Sequence, residues 1–378
     1  MNRRERLIAT LQGRAVDRPA VNFYEIGGFD VDPDDPDEFN IYNSPSWRPL
    51  LQLAEDRTDL IRMRSPELIP APHNPRDEFF SRREYQEDGS KFVRTTLRCG
   101  GRKMTSLTRR DRDIDTVWTV EHLLKDLDDL KAFLELPDAV FDYTPNVAGI
   151  LEAEEKLGDR GIVMIDTPDP LCLAAELLSM GDYTIAAMTE EALFARLIEK
   201  FARGLWQRTE TVAREAPGRL WRIYGPEYAS EPYLPPHLFE RYVVGYDRSM
   251  VRSIDASGGF ARIHCHGRLA NILPHILAAG AAALDPIEPP PVGDVSLADV
   301  RKQYGRDMVL FGNIEIRDIE AMPPDQFERV AAASLRDGSS GEGRGFVLMP
   351  SASPYGREIT PTTMANYETM VRLATGII

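Results

Sequence analysis

The chain has 378 residues, with 45 lysines and arginines against 60 aspartates and glutamates, for a formal net charge of −15. This length is enough for one large α/β barrel or for two ordinary domains. Such an acidic chain lacks the cationic surplus that binds nucleic acid or anionic lipid, so we expect neither nucleic acid nor membrane as a partner.

The first residues predict an amphipathic helix over positions 2–13, because charged and apolar side chains alternate in MNRRERLIATLQGR. This segment lacks the apolar stretch of a signal peptide, and no run in the sequence approaches the ~20 apolar residues of a membrane helix. The three cysteines, Cys99, Cys172 and Cys265, are too widely spaced to form a disulfide framework. We therefore expect a protein of the reducing cytoplasm.

The first 140 residues predict two strands of a main sheet and a β insertion. The two candidate strands are residues 19–26 and 58–64. Asp88-Gly89, a pair typical of two-residue hairpin turns, separates two further strand-like segments, and a third antiparallel strand follows them. No linker-like stretch sets these segments apart, so we assign residues 80–110 as a β insertion within a single domain spanning residues 1–378.

Beyond residue 160, short apolar runs alternate with helical patterns. Each run ends in a polar residue, glycine or proline, as the strands of a buried parallel sheet do. Residues 189–215 and 236–256 carry apolar side chains at helical spacing. The six runs are 161–166, 219–225, 260–266, 281–288, 307–313 and 345–351.

Together with the two earlier strands, these runs make eight. That count predicts an α/β fold of the (β/α)8 TIM barrel type with an N-terminal β-hairpin insertion. A doubly wound open sheet is the competing architecture, and the absence of a G-x-G-x-x-G motif after the first strand argues against it.

Polar side chains stand at the carboxyl ends of the last six strands. In a parallel barrel these ends meet at the face that carries the chemistry, so we expect one shared cleft. For any single carboxylate, helix capping or loop solvation is an equally good explanation. The residues are Asp166, Glu227, His264, His266, Asp285, Glu288, Asn313, Glu315 and Ser351.

The segment Ile263-His264-Cys265-His266-Gly267 is the most specific local feature. Side chains alternate along a strand, so both histidines point to one face, at a spacing that suits metal ligands. A tetrahedral site needs a further protein ligand, for which Glu227, Asp285 and Glu288 remain alternatives. Direct catalysis by the imidazoles also stays open, as does a buried, hydrogen-bonded histidine beside an exposed one.

The chain carries five segments whose order and spacing match one known family: RRERLIATLQGRAVDRPAV, DTPDPLCLAAELLSMG, IHCHG, LFGNIEIRDI and GFVLMPSASPYGREITPTTMANY. Through them it resembles the uroporphyrinogen decarboxylase superfamily, which also contains corrinoid and thiol methyltransferases. The resemblance covers nearly the whole chain and implies a (β/α)8 barrel.

Departures from the family pattern indicate the nearest branch. Decarboxylases carry arginines after the first strand, whereas Tyr24-Glu25-Ile26-Gly27-Gly28 stands here, with an acid and no base. The methyltransferases bind zinc through His-x-Cys and a later cysteine. His264 and His266 match the first two of these ligands, and Ser351-Ala352-Ser353 stands where the third would be. The resemblance therefore implies the methyltransferase branch, with metal-assisted activation of an oxygen or nitrogen substrate open.

The first functional hypothesis is an enzyme that moves a methyl group from a small methylated substrate to a corrinoid protein or a thiol, assisted by a divalent metal such as zinc. The second is a metal-dependent lyase, including a decarboxylase of the uroporphyrinogen type, or a hydrolase. The third is a catalytically inactive barrel that binds a small molecule. The oligomeric state stays open, with a homodimer as one option.

These hypotheses assign roles to individual side chains. We expect Glu25 and Arg64 to lie near the mouth of one pocket, because each follows one of the first two strands. The predicted catalytic residues are Glu227, Asp285 and His264, the substrate-binding residues are Glu25, Arg64, Asp166 and Asn313, and the metal ligands are His264, His266 and Glu227.

Overall fold

The computed structural model describes residues 1–343 and 345–376, so positions 344, 377 and 378 of the predicted domain lie outside the described residues. None of the described helices is long and apolar enough to cross a membrane. The α-helices of the described part are α1 (Arg3–Leu11), α2 (Trp47–Arg57), α3 (Arg76–Phe79), α4 (Leu127–Leu134), α5 (Ala148–Leu157), α6 (Pro170–Ala175), α7 (Met180–Thr189), α8 (Glu191–Glu215), α9 (Pro236–Phe239), α10 (Gly245–Ala256), α11 (Leu273–Ala279), α12 (Leu297–Tyr304), α13 (Ile316–Ala321), α14 (Pro324–Gly338) and α15 (Pro361–Thr375).

The strands of the described part form one large parallel sheet and two small antiparallel ones. They are β1 (Ala20–Val21), β2 (Leu60–Arg64), β3 (Glu67–Pro70), β4 (Phe80–Glu87), β5 (Ser90–Cys99), β6 (Arg102–Arg110), β7 (Val117–Glu121), β8 (Tyr143–Asn146), β9 (Gly161–Pro168), β10 (Leu220–Tyr224), β11 (Phe260–His264), β12 (Ala283–Asp285), β13 (Val309–Ile314) and β14 (Phe346–Pro350).

The parallel sheet has eight strands in the order β1-β14-β13-β12-β11-β10-β9-β2. Its two end strands meet where the Asp59 amide donates to the Val21 carbonyl at 2.7 Å. Neighbouring strands thus follow one another along the chain, as in a (β/α)8 barrel. The predicted fold class is confirmed, and each of the eight predicted segments contributes a strand.

Several predicted elements have different bounds, and two of these differences have a clear local cause. The first strand covers Ala20–Val21 and not residues 19–26, because the chain turns at Tyr24, which has a φ of +58°. The Asn22 side chain accepts from the Tyr24 amide at 2.8 Å and stabilises that turn. The helix predicted over 189–215 begins at Glu191, because Glu190 has non-helical dihedral angles and separates it from α7.

A buried ion cluster lies beneath the sheet, where β1 meets β2. Asp59 is fully buried and binds Arg6 Nη1 at 2.6 Å and Arg18 Nη1 at 2.8 Å. Its Oδ2 atom also accepts from the Val21 amide at 3.0 Å. Each charge in the cluster therefore has an opposite partner, as buried charges require, and α1 is joined to both end strands.

The β insertion is a four-stranded antiparallel sheet in the order β4-β5-β6-β7. The predicted hairpin is present: Asp88 and Gly89 both have positive φ, as a type I′ turn requires, between the paired residues Glu87 and Ser90. Strand β7 extends the sheet beyond the predicted 80–110 segment. A second pair, β3 with β8, connects the insertion to the barrel.

Candidate active site

Strand alternation decides which polar side chains reach the mouth of the barrel. Ile162 and Met164 of β9 belong to the apolar cluster inside the barrel. Side chains two residues apart share a face, so Asp166 stands above them at the carboxyl end. On β10 the same alternation places Arg222 above Leu220. The strand sequences thus build an apolar floor with polar groups at its upper edge.

These polar groups surround a cavity of about 260 Å³ at the carboxyl ends of the strands. Four of the predicted site residues line it, together with three tyrosines and an arginine. The lining residues are Tyr24, Glu25, Arg222, Tyr224, Glu227, His264, His266, Ser351, Ala352 and Tyr355.

His264 is the last residue of β11 and lies beside Asp285 of β12 in the strand register. The imidazole Nδ1 is 2.8 Å from Asp285 Oδ2. Arg262 Nε lies 3.0 Å from the other carboxylate oxygen, so the Asp285 carboxylate contacts both the imidazole and the guanidinium. Asp285 is fully buried and does not line the cavity, so in this arrangement it positions His264, and its catalytic role stays a prediction.

His266 lies beyond the end of β11, in the irregular segment that follows the strand, and also lines the cavity. Its Nδ1 is 2.8 Å from Glu288 Oε1, and the Gly267 amide donates to Glu288 Oε2 at 2.7 Å. Glu288 is held in place by these two bonds. The two histidine rings lie at right angles with their centroids 4.6 Å apart.

The two histidines have pKa values displaced in opposite directions. Burial lowers the pKa of His264 and outweighs the attraction of the Asp285 carboxylate. Burial also opposes a charge on His266, but the hydrogen bond and charge of Glu288 prevail and raise its pKa. Neighbouring groups whose pKa values diverge in this way are suited to act as acid and base.

The predicted metal site requires a third protein ligand beside the two imidazoles. Glu227 lies in the cavity wall, where its Oε2 accepts from the Gly225 amide at 3.1 Å. Within residues 1–343 and 345–376, no three His, Cys, Asp or Glu side chains are grouped so that they could hold a metal ion. The donor set therefore does not fit the expected zinc site, which needs three protein ligands.

An arginine that the sequence analysis missed dominates one wall of the cavity. Arg222 binds Asp166 through two bonds, Nε to Oδ1 at 2.6 Å and Nη2 to Oδ2 at 3.0 Å. Its Nη1 atom also contacts the Tyr24 hydroxyl. Asp166, predicted to bind substrate, is thus engaged by Arg222. The signal was available, since an arginine inside the apolar run RLWRIYG needs a buried partner.

Two other residues predicted to bind substrate do not line the cavity. Arg64 forms an ion pair with Asp30 at 2.6 Å and, unlike Glu25, is not among the lining residues of the cavity, so its role in substrate binding stays a prediction. Asn313 accepts a hydrogen bond from Ser334 of α14 at 2.9 Å, which turns it towards the helix layer.

Glu25 does line the cavity, where the turn after β1 places it. It forms no ion pair with any described residue, and burial raises its pKa. Tyr24, its neighbour, stacks on His264 with ring centroids 5.9 Å apart. Sequence reasoning missed Tyr24, Tyr224 and Tyr355 because a tyrosine near a strand end is equally typical of a core position.

Comparison with known proteins supplies a family and a fold. A family model described as uroporphyrinogen decarboxylase (URO-D) matches residues 119–375. No curated protein matches the chain in sequence. The chain is similar to the solved structure of a methyltransferase from Methanosarcina mazei, with 14% identity and a TM-score of 0.60 over 100% of this chain and 99% of that one. At this identity the likeness shows a shared fold.

Two further solved structures show a weaker likeness. A B12-independent methionine synthase from Shewanella sp. W3-18-1, in complex with selenomethionine, has 11% identity and a TM-score of 0.40 over 80% of this chain and 79% of that one. A mannanase from Bacillus subtilis has 9% identity and a TM-score of 0.41 over 96% of this chain and 88% of that one.

Proposed function

Because this chain belongs to the uroporphyrinogen decarboxylase family, we propose that it is an enzyme that removes a methyl group from a heteroatom of a small substrate and transfers it to an acceptor. The observation that carries this proposal is the pair of adjacent imidazoles with diverging pKa values. The acceptor is a thiol or the corrinoid of a partner protein.

His266 acts as the general acid in this proposal. Its Nδ1 is held by Glu288, so the Nε2 proton is the one that is free to be donated. As the bond between methyl carbon and heteroatom breaks, its electron pair stays on the heteroatom, which takes this proton. The methyl carbon forms its new bond with the nucleophile of the acceptor. Protonation removes the need to expel an anion, which is the usual gain from general acid catalysis.

His264 acts beside it as a neutral hydrogen-bonding group. The carboxylate of Asp285 holds the Nδ1 proton, which fixes the tautomer and leaves Nε2 as an acceptor. Burial lowers the pKa of the ring, which favours the uncharged form beside the imidazolium of His266. A hydroxyl or ammonium group of the substrate that donates to Nε2 would be oriented for transfer. No step in this mechanism passes through a metal ion.

The cavity favours small substrates that are neutral or cationic. Its volume of about 260 Å³ lies below the range of about 300–1,000 Å³ typical of sites for drug-sized ligands. Glu25 and Glu227 contribute carboxylates, whereas Arg222 is already paired with Asp166. A polyanionic tetrapyrrole would meet the carboxylates of Glu25 and Glu227. The cationic groups among the described lining residues, Arg222 and His266, each already have a carboxylate partner, so its decarboxylation is disfavoured.

A lyase that acts on a small carboxylic acid is the second candidate, and the family match favours it. His266 could then protonate the carbon that loses carbon dioxide, with the same proton and the same partner, Glu288. The arrangement of charges argues against it, because the substrate carboxylate also needs a free cation. The two candidates differ in product: a methylated acceptor in one case and carbon dioxide in the other.

The test is a product analysis with a panel of small methyl ethers, methylamines and methyl thioethers. The acceptor is supplied as dithiothreitol or as reduced cobalamin, and demethylated substrate and methylated acceptor are measured by mass spectrometry. We expect turnover that falls about 10²–10⁴-fold in His266→Gln, the usual contribution of a general acid. The matched control is His237→Gln, an exposed histidine on α9, with unchanged turnover.

Turnover that is the same in His266→Gln and in the wild type would rule out its role as the acid. Release of carbon dioxide without any methylated acceptor, from a panel of small carboxylic acids, would instead establish the lyase.

A further inference from the structure

A second cavity lies between α8 and the small sheet of β3 and β8. Its volume is about 740 Å³, nearly three times that of the barrel mouth, and the two cavities share no lining residue. We call it the α8 groove. It is lined by Leu68, Ala71, Arg76, Phe141, Asp142, Tyr143, Thr144, Pro145, Leu173, Phe201, Gly204, Leu205, Gln207, Arg208 and Thr211.

The groove contains an arginine without a carboxylate partner. Arg208 is partly buried, and its Nη2 donates to the hydroxyl of Thr167 at 2.9 Å. No aspartate or glutamate of residues 1–343 and 345–376 forms an ion pair with it, whereas the buried Arg6, Arg222 and Arg262 each have one. Burial accordingly lowers the pKa of Arg208, with only Tyr224 acting to raise it.

A bound anion would stabilise an arginine in such surroundings. Removing a guanidinium from water costs free energy that a carboxylate normally restores, so arginines are rarely buried without one. The five N–H donors of Arg208 include only one engaged with a described residue, the bond to Thr167. The others remain available to a ligand that enters the groove.

The other lining residues of the groove indicate the charge and the apolar character of the ligand. Arg76 supplies a second cation, with its guanidinium carbon 4.4 Å from the centroid of the Phe80 ring and no ion pair in the described part of the chain. One exposed carboxylate, Asp142, opposes the two arginines, so the walls carry a net positive charge although the whole chain is acidic. Phe141 and Phe201 form an apolar surface, with ring centroids 5.4 Å apart.

We propose that the α8 groove is a binding site for an amphipathic organic carboxylate, held at its head group by Arg208 and at its apolar body by Phe141 and Phe201. The planar guanidinium matches a carboxylate with two parallel hydrogen bonds. The groove volume suits a ligand of ordinary small-molecule size. This inference is independent of the reaction in the barrel mouth.

Neighbouring residues connect the groove with the barrel mouth. Thr167, which accepts the bond from Arg208, follows directly on Asp166, which holds Arg222 in the barrel mouth. Tyr224, which acts to raise the pKa of Arg208, lines the barrel-mouth cavity. A ligand in the groove is therefore placed to act as an effector of the barrel mouth.

The test uses a matched pair of probes, 1-naphthaleneacetate and its uncharged analogue 1-naphthaleneacetamide, titrated calorimetrically into the full chain. We expect the acetate to bind saturably and about 10-fold or more tightly than the amide, because only the acetate forms charge-assisted bonds with Arg208. This comparison needs no variant. Equal affinities, or no saturable binding of the acetate, would overturn the proposal.

Variants then locate the site. Arg208→Gln should lower the affinity for the acetate about 10-fold or more and leave the amide unaffected, and Arg208→Lys should lie between the two. Arg203→Gln, on the same helix but in an exposed ion pair with Glu199 at 3.0 Å, is the control and should bind as wild type. Without ligand, Arg208→Gln should unfold at no lower temperature than the wild type. Acetate binding that Arg208→Gln leaves unchanged would contradict the site.

Discussion

Replacement of Asp285 by asparagine should destabilise the protein strongly. This carboxylate is fully buried between Arg262 Nε at 3.0 Å and His264 Nδ1 at 2.8 Å. Burial opposes its charge, but Arg262 and His264 prevail and hold its pKa below the usual value. In Asp285→Asn the Arg262 guanidinium, whose side chain is 1% exposed, loses its carboxylate. Breaking a buried pair in this way costs about 3–5 kcal/mol.

The assay is urea unfolding, followed by circular dichroism, of the single variant and of a double variant, Arg262→Met with Asp285→Asn. The double variant should recover much of the loss, because it removes the buried cation together with its partner. Glu328→Gln is the control, since its pair with Arg372 at 2.8 Å is exposed on both sides and should contribute less than about 1 kcal/mol. An Asp285→Asn variant within 1 kcal/mol of wild type, or a double variant less stable than the single one, would refute this reasoning.

Three further variants test the remaining parts of the account. Glu288→Gln should move the alkaline limb of the pH–rate profile to lower pH, because Glu288 raises the pKa of His266; an unmoved limb would show that His266 is not the acid. Burial raises the pKa of Glu315 to about 7, so its contribution to stability is present below its unfolded pKa and is lost as pH rises from about 4.5 to about 7. The unfolding temperature of Glu315→Gln should therefore decrease less over that pH interval than that of the wild type. If the decrease is the same in both proteins, other groups cause it. Gly89→Ala should cost about 1 kcal/mol in urea unfolding, because Gly89 has a φ of +79°, and should leave turnover intact; reduced turnover would connect the hairpin to the active site.

The strands were predictable because each is a local pattern. A buried parallel strand is apolar on both faces, so β9 to β11 are evident as runs of aliphatic residues in the sequence alone. The hairpin at Asp88-Gly89 was equally local, since few residue pairs tolerate two positive φ angles. The turn at Tyr24 could not be predicted. A non-glycine residue with positive φ has no sequence signal of its own, and here the Asn22 side chain stabilises it.

The sequence predicted that the two histidines lie together, but it did not predict which carboxylates bind them. His264 binds Asp285, 21 residues away, and His266 binds Glu288, 22 residues away. These contacts depend on the register between β11 and β12, which the sequence does not display. The metal hypothesis followed from the spacing of the donors, and the described residues group no third ligand with the two imidazoles. The ion pair of Arg64 with Asp30 could not be predicted either, because it depends on the conformation of the loop after β1.

The proposed reaction requires adjacent imidazoles with opposite protonation states, and nitrogen-15 NMR of histidine-labelled protein measures these states directly. His264→Gln and His266→Gln assign the two signals among the six histidines of the chain. The account predicts that His264 stays neutral, with its proton on Nδ1, while His266 titrates above the ordinary value of about 6.5. A His264 that becomes protonated at higher pH than His266, or two rings that titrate together at the ordinary value, would contradict it.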